Sequence, residues 1–276
     1  MPHNNQKKIA VINDFCGFGR CSLAVSIPII SAMKLQCCPL PTSIFSNHTG
    51  FPSFYSTDFT EHMNPYIDEW VNLGLHFNSI LTGYLGSAKQ INIVKDFLSR
   101  FKGEGTTVIV DPVMGDHGKL YSSYPYELAI KMRELVAYAD ILTPNLTEAC
   151  ILTDTSYKEN MTEEELTKIA MALSDMGPKS IVISGLLRDG YLENFIYDKE
   201  SGISVVREKM VGEFRSGTGD VFSSIIAADT ALGKTLYEAV EHASRFIARV
   251  IKRTIELNIP RTDGIAFEEM LCEIGE

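Results

Sequence analysis

The chain has one tryptophan and only six cysteines among its 276 residues. The cysteines, Cys16, Cys21, Cys37, Cys38, Cys150 and Cys272, form no Cys-x-x-Cys pair. That spacing excludes a structural zinc knuckle and offers no disulfide framework, so free thiols in a reducing compartment are expected. No run approaches the roughly 18–20 apolar residues that cross a bilayer. The opening MPHNNQKKIAVIND lacks an apolar stretch of secretory length. A cytoplasmic location and no membrane partner are the expectation. Basic residues are in deficit, with 25 Lys and Arg against 35 Asp and Glu and a formal net charge of −10. Nucleic acid is therefore disfavoured as a partner, because a phosphate backbone needs a basic surface. No internal repeat, low-complexity tract or linker interrupts the chain.

What is present is a core. Apolar residues make up 45% and charged residues 22%, the balance of a globular chain. Apolar, β-branched runs predict buried strands over residues 8–13, 79–82, 106–110, 141–143 and 180–184. Helical patterns separate them. Residues 23–34 read as an apolar helix bent by Pro28, and Ile91, Val94, Phe97, Leu98 and Phe101 form an apolar stripe. Thr162 with Glu165, and Thr235 with Glu238, open further helices as capping boxes. Residues 194–197 and 203–206 read as a hairpin. Strands alternating with helices predict an α/β fold, a mostly parallel sheet covered on both faces, with residues 1–276 as one domain.

Parallel sheets bind ligands beyond the carboxyl ends of their strands. The polar residues there are Asn13 and Asp14, Gly83 and Tyr84, Asp111, Asn145 to Glu148, and Ser184 with Gly185. The strongest signal lies later, in Ser216-Gly217-Thr218-Gly219-Asp220, a glycine-rich turn feeding an apolar helix. Glycines admit a phosphate close to the backbone, and the helix start adds free N–H groups and a positive dipole end. A carboxylate at Asp220 can accept a proton from an attacking hydroxyl beside that anion hole. The bland alternative makes Thr218 an N-cap and Asp220 a first-turn acid. Asp111, before Pro112, is placed to hold Mg²⁺ through water, or is merely a turn former. Asn145 and Glu148 read either as a capping box or as a phosphate neighbour and a second carboxylate for the metal's waters. His48 reads as a hydrogen-bonded structural residue, Tyr84 as a stacking or packing ring, and 114–124 as a mobile flap. Tyr66 and Trp70 read as core. Two rival phosphate motifs fail. Residues 228–235 end in Gly-Lys-Thr, but Ala228 replaces the first Walker glycine and a helix precedes it. Gly17-Phe18-Gly19-Arg20-Cys21-Ser22 lacks the third glycine of a dinucleotide loop.

Together, FSNHTG (45–50), TGYLGS (82–87), VDPVMGD (110–116), TPNLTE (143–148) and SGTGD (216–220) resemble the pyridoxal kinases of the ribokinase superfamily. They stand in that family's order and span most of the chain. The resemblance implies a three-layer α/β/α sandwich. It implies transfer of the ATP γ-phosphate to the 5′-hydroxyl of pyridoxal, pyridoxine or pyridoxamine. Asp220 would be the base, with Gly217, Thr218 and Gly219 as the anion hole. Asp111 and Glu148 would organise Mg²⁺, Asn145 would lie by the phosphates, and Ser184 near the nucleotide. Asn13, Thr49 and Tyr84 would approach the ring, and 116–124 would form the flap. A homodimer is implied, and a monovalent cation is left open. The chain departs from the family at Asn13-Asp14, where Ser-His is common, and in the FCGFGRCS that follows. The flap carries no cysteine to capture an aldehyde. Hydroxymethylpyrimidine kinases share the GTGD and acid pattern, while FSNHT and GYLG favour the B6 branch. A sugar or nucleoside kinase lacks support, since no N-terminal β-lid segment is found. A non-catalytic B6-binding protein on the same scaffold is the rival from another class, and the retained acids argue against it.

Overall fold

The computed structural model describes residues 4–121 and 124–275. Its first half runs β1 (Lys8–Cys16), α1 (Leu23–Ala32), β2 (Gln36–Phe45), β3 (Ser56–Asp58), α2 (Thr60–Asn72), β4 (Ser79–Thr82), α3 (Ala88–Phe101) and β5 (Thr107–Val110). A small hairpin of β6 (Gly115–Asp116) and β7 (Lys119–Leu120) precedes α4 (Tyr126–Val136), β8 (Ile141–Leu142), α5 (Leu146–Thr153) and α6 (Glu163–Asp175). A meander of β9 (Ser180–Arg188), β10 (Tyr191–Asp198) and β11 (Gly202–Lys209) leads to α7 (Thr218–Leu232) and α8 (Leu236–Glu256). The main sheet has the order β11-β10-β9-β8-β5-β4-β1-β2-β3. Its inner pairs are parallel, and only β3, β10 and β11 join antiparallel.

The layers follow from side-chain alternation. Successive strand residues face opposite sides. Ala10, Ile12, Ile80, Val108, Val110, Ile181 and Ile183 pack under α2 to α6. Their neighbours Ile9, Val11, Leu81, Ile109 and Val182 pack under α1, α7 and α8. A sheet buried on both faces reads as a continuous apolar run, which is why these strands were legible. The result is a three-layer α/β/α sandwich. The capping boxes at Thr162 and Thr235 are present. Tyr66 and Trp70 pack half-buried against the core. Among the described residues no helix is long and apolar enough to cross a membrane.

Three local expectations change. β1 runs on to Cys16, so Asn13 and Asp14 lie inside it, at a register shift between Asn13 and Phe15. β9 likewise runs past Ser184, which sits within the strand. β2 was not foreseen, because Pro39 and Pro41 argue against a strand. The pairing explains their tolerance. Gln36 N donates to Lys7 O, so alternate residues face β1 and the two prolines face the open edge. There Tyr66 Oη donates to the Pro39 carbonyl at 3.0 Å. Helix α1 continues through Pro28.

Candidate active site

The sheet order creates one reversal. From β1 the chain steps outward to β2, then returns across β1 to enter β4. Ligands of open α/β sheets bind at such a point, outside the strands' carboxyl ends. A cleft of about 1210 Å³ opens there. One small ligand needs roughly 300–1,000 Å³, so the space suits two ligands side by side. Every residue selected from the sequence lines it: Asn13, Thr49, Tyr84, Asp111, Asn145, Glu148, Ser184, Gly217, Thr218, Gly219 and Asp220.

Asn13 marks the reversal. Its Oδ1 accepts from Tyr84 N at 2.9 Å and from Asp14 N at 3.0 Å, and its Nδ2 donates to Asp220 Oδ1 at 3.2 Å. Gly83 permits this closeness, since a Cβ there would lie 2.5 Å from the Asn13 side chain.

The anion hole is built on α7. Gly217 is its N-cap at φ +85°, a left-handed conformation that favours glycine. A Cβ on Gly217 would also meet Arg20 O at 2.1 Å. No side chain caps the helix, and Gly217, Thr218 and Gly219 line the cleft. Nothing lies within 4 Å of where a Cβ on Gly219 would stand, which leaves space for a ligand. Thr218 is not the cap; its Oγ1 donates to Arg215 O at 3.1 Å and steadies the turn.

Three carboxylates converge below that turn. Burial pushes Asp220 up to about 6, against the pull of the Ser22 amide and the Asn13 side chain. Burial, then the charge of Asp220, pushes Asp111 up to about 8, while the Ser223 hydroxyl opposes the rise. Glu148 is raised by burial and by Asp111, although Met114 N and Asn145 N donate to it at 3.1 and 2.8 Å. Crowded acids of this kind hold a surplus of negative charge that a cation relieves. Among the described residues no group of three His, Cys, Asp or Glu side chains is set to hold a metal directly. The two carboxylates of Asp111 and Glu148 are oxygen donors of the kind a hard divalent cation takes.

The capping box of Asn145 and Glu148 is real, so both residues serve α5 as well as the cleft. Asn145 Nδ2 also donates to Gly115 O at 2.8 Å, tying the β6–β7 hairpin to the site. Thr147 Oγ1 accepts from Gly118 N at 2.8 Å in the same service. His117 and Tyr121 of this segment line the cleft. The expected flap, 116–124, includes Ser122 and Ser123, which lie outside the described residues. Ser184 bridges to Asn145, and its amide donates to Pro144 O at 2.9 Å.

On the other flank, Tyr84 stands edge-on to Phe45 and Tyr124, with centroids 6.2 and 6.4 Å away. Phe45 and Tyr84 thus give the cleft an aromatic side, with Tyr124 buried behind it. Thr49 is exposed on the rim. His48 anchors its loop, with Nε2 at 2.7 Å from Thr262 O and Nδ1 accepting from Gly50 N at 3.0 Å. Sequence reasoning missed the apolar wall of Val211, Ile247 and Ile251. An apolar stripe on α8 does not announce which part of it faces a cleft. Sequence reasoning met Ser22 only as the residue in place of the third glycine of a rejected dinucleotide loop.

A glycine-capped helix start facing clustered acids at the rim of such a sheet is the site of a small-molecule kinase of ribokinase-like fold. The chain belongs to the family described as phosphomethylpyrimidine kinase, which matches residues 30–263. It is a phosphotransferase that acts on an alcohol group. Among known proteins, it is similar to a pyridoxal kinase of Proteus mirabilis, at 27% identity over 96% of this chain and 95% of that one. A crystal structure of a candidate phosphomethylpyrimidine kinase from Bacteroides thetaiotaomicron superimposes with a TM-score of 0.97 and 39% identity, covering 100% of this chain and 96% of that one. A second crystal form of that protein, with pyridoxal, gives 0.95 and 38% over 99% and 96%. Pyridoxal kinase from Lactobacillus plantarum gives 0.90 and 27% over 97% and 96%.

Proposed function

We propose that this chain transfers the γ-phosphate of ATP to the 5′-hydroxyl of a B6 vitamer, acting as a single kinase domain over residues 1–276. The observation that carries the reading is the meeting of Asp220, Asp111 and Glu148 beneath a glycine-capped helix start, within one cleft. Pyridoxal in a crystal form of a 38% identical protein supports the ring assignment.

Phosphoryl transfer needs an aligned hydroxyl, neutralised charge and exclusion of water. In this reading Asp220 accepts the hydroxyl proton as the oxygen attacks phosphorus. The amides around Gly217, Thr218 and Gly219 take up charge on the migrating phosphoryl group. Asp111 and Glu148 would hold Mg²⁺ through water, and that ion supplies neutralisation of the phosphate oxygens. Asn145 lies by the phosphates, Ser184 by the nucleotide, and the Val211, Ile247 and Ile251 wall receives the base. Asn13, Thr49 and Tyr84 surround the ring, and the β6–β7 segment covers the reaction. A homodimer in the cytoplasm is part of the same proposal.

The family's description names a phosphomethylpyrimidine, which makes hydroxymethylpyrimidine or its phosphate the second candidate substrate. ADP release measured with pyridoxal, pyridoxine, pyridoxamine and hydroxymethylpyrimidine separates them. Turnover on the B6 alcohols is expected. Turnover on the pyrimidine alone, or B6 binding with no ADP formed, would refute the reading.

A further inference from the structure

We propose that Asp14 and Ser22 are positioning residues for Asp220, acting as a relay that steadies the base beside Asn13. The inference rests on the reading of Asp220 as the base. Ser22 has φ 58° and ψ −139°, backbone angles that belong almost entirely to glycine. Strain of that kind persists only where the surroundings over-determine it. Ser22 is also the N-cap of α1, with its carbonyl accepting from Val25 N and Ser26 N, both at 3.0 Å. An N-cap serine ordinarily turns its hydroxyl back onto the helix amides. This one makes no such bond. Its Oγ donates instead to Asp14 Oδ1 at 2.7 Å, while Cys16 Sγ donates to Asp14 Oδ2 at 3.3 Å. Both residues are buried, with Asp14 at 6% and Ser22 at 7% exposure. Phe15 and Ser22 pair across the intervening loop, which closes the arrangement.

The consequence lies on the other side of the Ser22 peptide. Ser22 and Asp220 line the same cleft where the Arg20 carbonyl abuts Gly217, and the Ser22 amide favours the charged form of the Asp220 carboxylate. Asn13 Nδ2 meets the same carboxylate at 3.2 Å. Adjacent residues of β1 thus serve one acid, Asn13 directly and Asp14 through the Ser22 hydroxyl and backbone. A carboxylate bonded by Asn13 and steadied by the Ser22 segment keeps its remaining lone pairs free for the cleft. The sequence Asn13-Asp14 and the Cys21-Ser22 end of the loop acquire a role as a unit.

The test uses the full chain and steady-state kinetics for both substrates, with melting temperature as the folding control. Asp14→Ala and Ser22→Ala are each expected to lower kcat by about 10- to 100-fold, the scale of a misplaced catalytic group. KM for ATP is expected to stay within about twofold, since the ATP-facing groups are untouched. The double variant should lose no more than the worse single, because both act through one contact. Asp14→Asn should recover most of the loss, since its carboxamide oxygen still accepts from Ser22. In an Asp220→Ala background neither change should cost further turnover, which a merely structural defect would. Should Ser22→Ala fail to fold, Ser22→Gly adopts the same angles without the hydroxyl and reads the same loss. Wild-type kcat in the singles with Asp220→Ala inactive, or losses that multiply, overturns the relay. Asp220→Ala at wild-type turnover overturns the assignment of the base instead.

Discussion

Replacing Asp220 by Asn separates what this residue gives to chemistry from what it costs the fold. Its carboxyl is pushed up to about 6 from an ordinary 3.8, first by burial and then, with opposing hydrogen bonds, by the charge of Asp14. At about 1.4 kcal/mol per tenfold, that gap amounts to about 3 kcal/mol of native-state cost. The sign follows from the order of the two values. Below about pH 4 the folded and unfolded chains both carry the proton, and the cost vanishes. Above about pH 6 both are ionised, and the folded chain bears the cost whole. A carboxamide at 220 escapes it. With about 2.1 cal/mol/K of unfolding entropy per residue, the chain needs roughly 0.6 kcal/mol per degree, which sets a ceiling of about 5 °C on the gain in Tm. The residue is partly open to the cleft, and solvent screening brings the expected gain to about 2–4 °C. Thermal melting in metal-free buffer from pH 5 to pH 8 should show Asp220→Asn overtaking wild type as pH rises, while its kcat falls by about two to four orders of magnitude. A variant that melts below wild type at pH 8, or a gap that does not change with pH, would show that Asp220 is tied in by contacts outweighing its burial. It would then be a helix-turn acid and not a strained base.

The wild-type rate should carry the same ionisation, with kcat/KM falling as pH drops through about 6 and with that limb missing in Asp220→Asn. Gly217→Ala places a Cβ 2.1 Å from Arg20 O at φ +85°, so turnover should drop more than about 100-fold and stability by about 1–3 kcal/mol, read by kinetics and denaturant melts. Asp111, pushed up to about 8, should respond to Mg²⁺: the ion raises the Tm of wild type and not of Asp111→Asn, and equal responses would remove the cation from this acid. Tyr84→Ala should raise KM for the vitamer by about tenfold and leave KM for ATP in place, as the loss of one ring wall on one substrate requires.

Much of the architecture was legible because period and face are local properties. The run 79–82 is a strand to the residue, and the α3 stripe of Ile91, Val94, Phe97 and Leu98 is buried as spaced. The glycine-rich turn, the three capping boxes and the acids at strand ends were equally visible, since each is set by neighbours a few residues away. β2 was hidden because proline normally forbids a strand, and only its place beside an open edge makes Pro39 and Pro41 harmless. Helix α2 was hidden because Pro65 and a polar face blur its stripe. The role of Ser22 was hidden for a deeper reason. Its backbone angles are disfavoured by its own residue type, and they occur where Asp14 and Phe15 meet it and the Gly217 turn abuts its neighbours Arg20 and Val25. The amino-acid sequence by itself determined which segments are strands and helices, which faces they bury and which residues carry charge at their ends. Only the tertiary structure decided that residues 13, 14, 22, 111, 148 and 220 share one cleft, because a crossover that reverses beside β1 and two packed layers are needed to bring such distant groups to one rim.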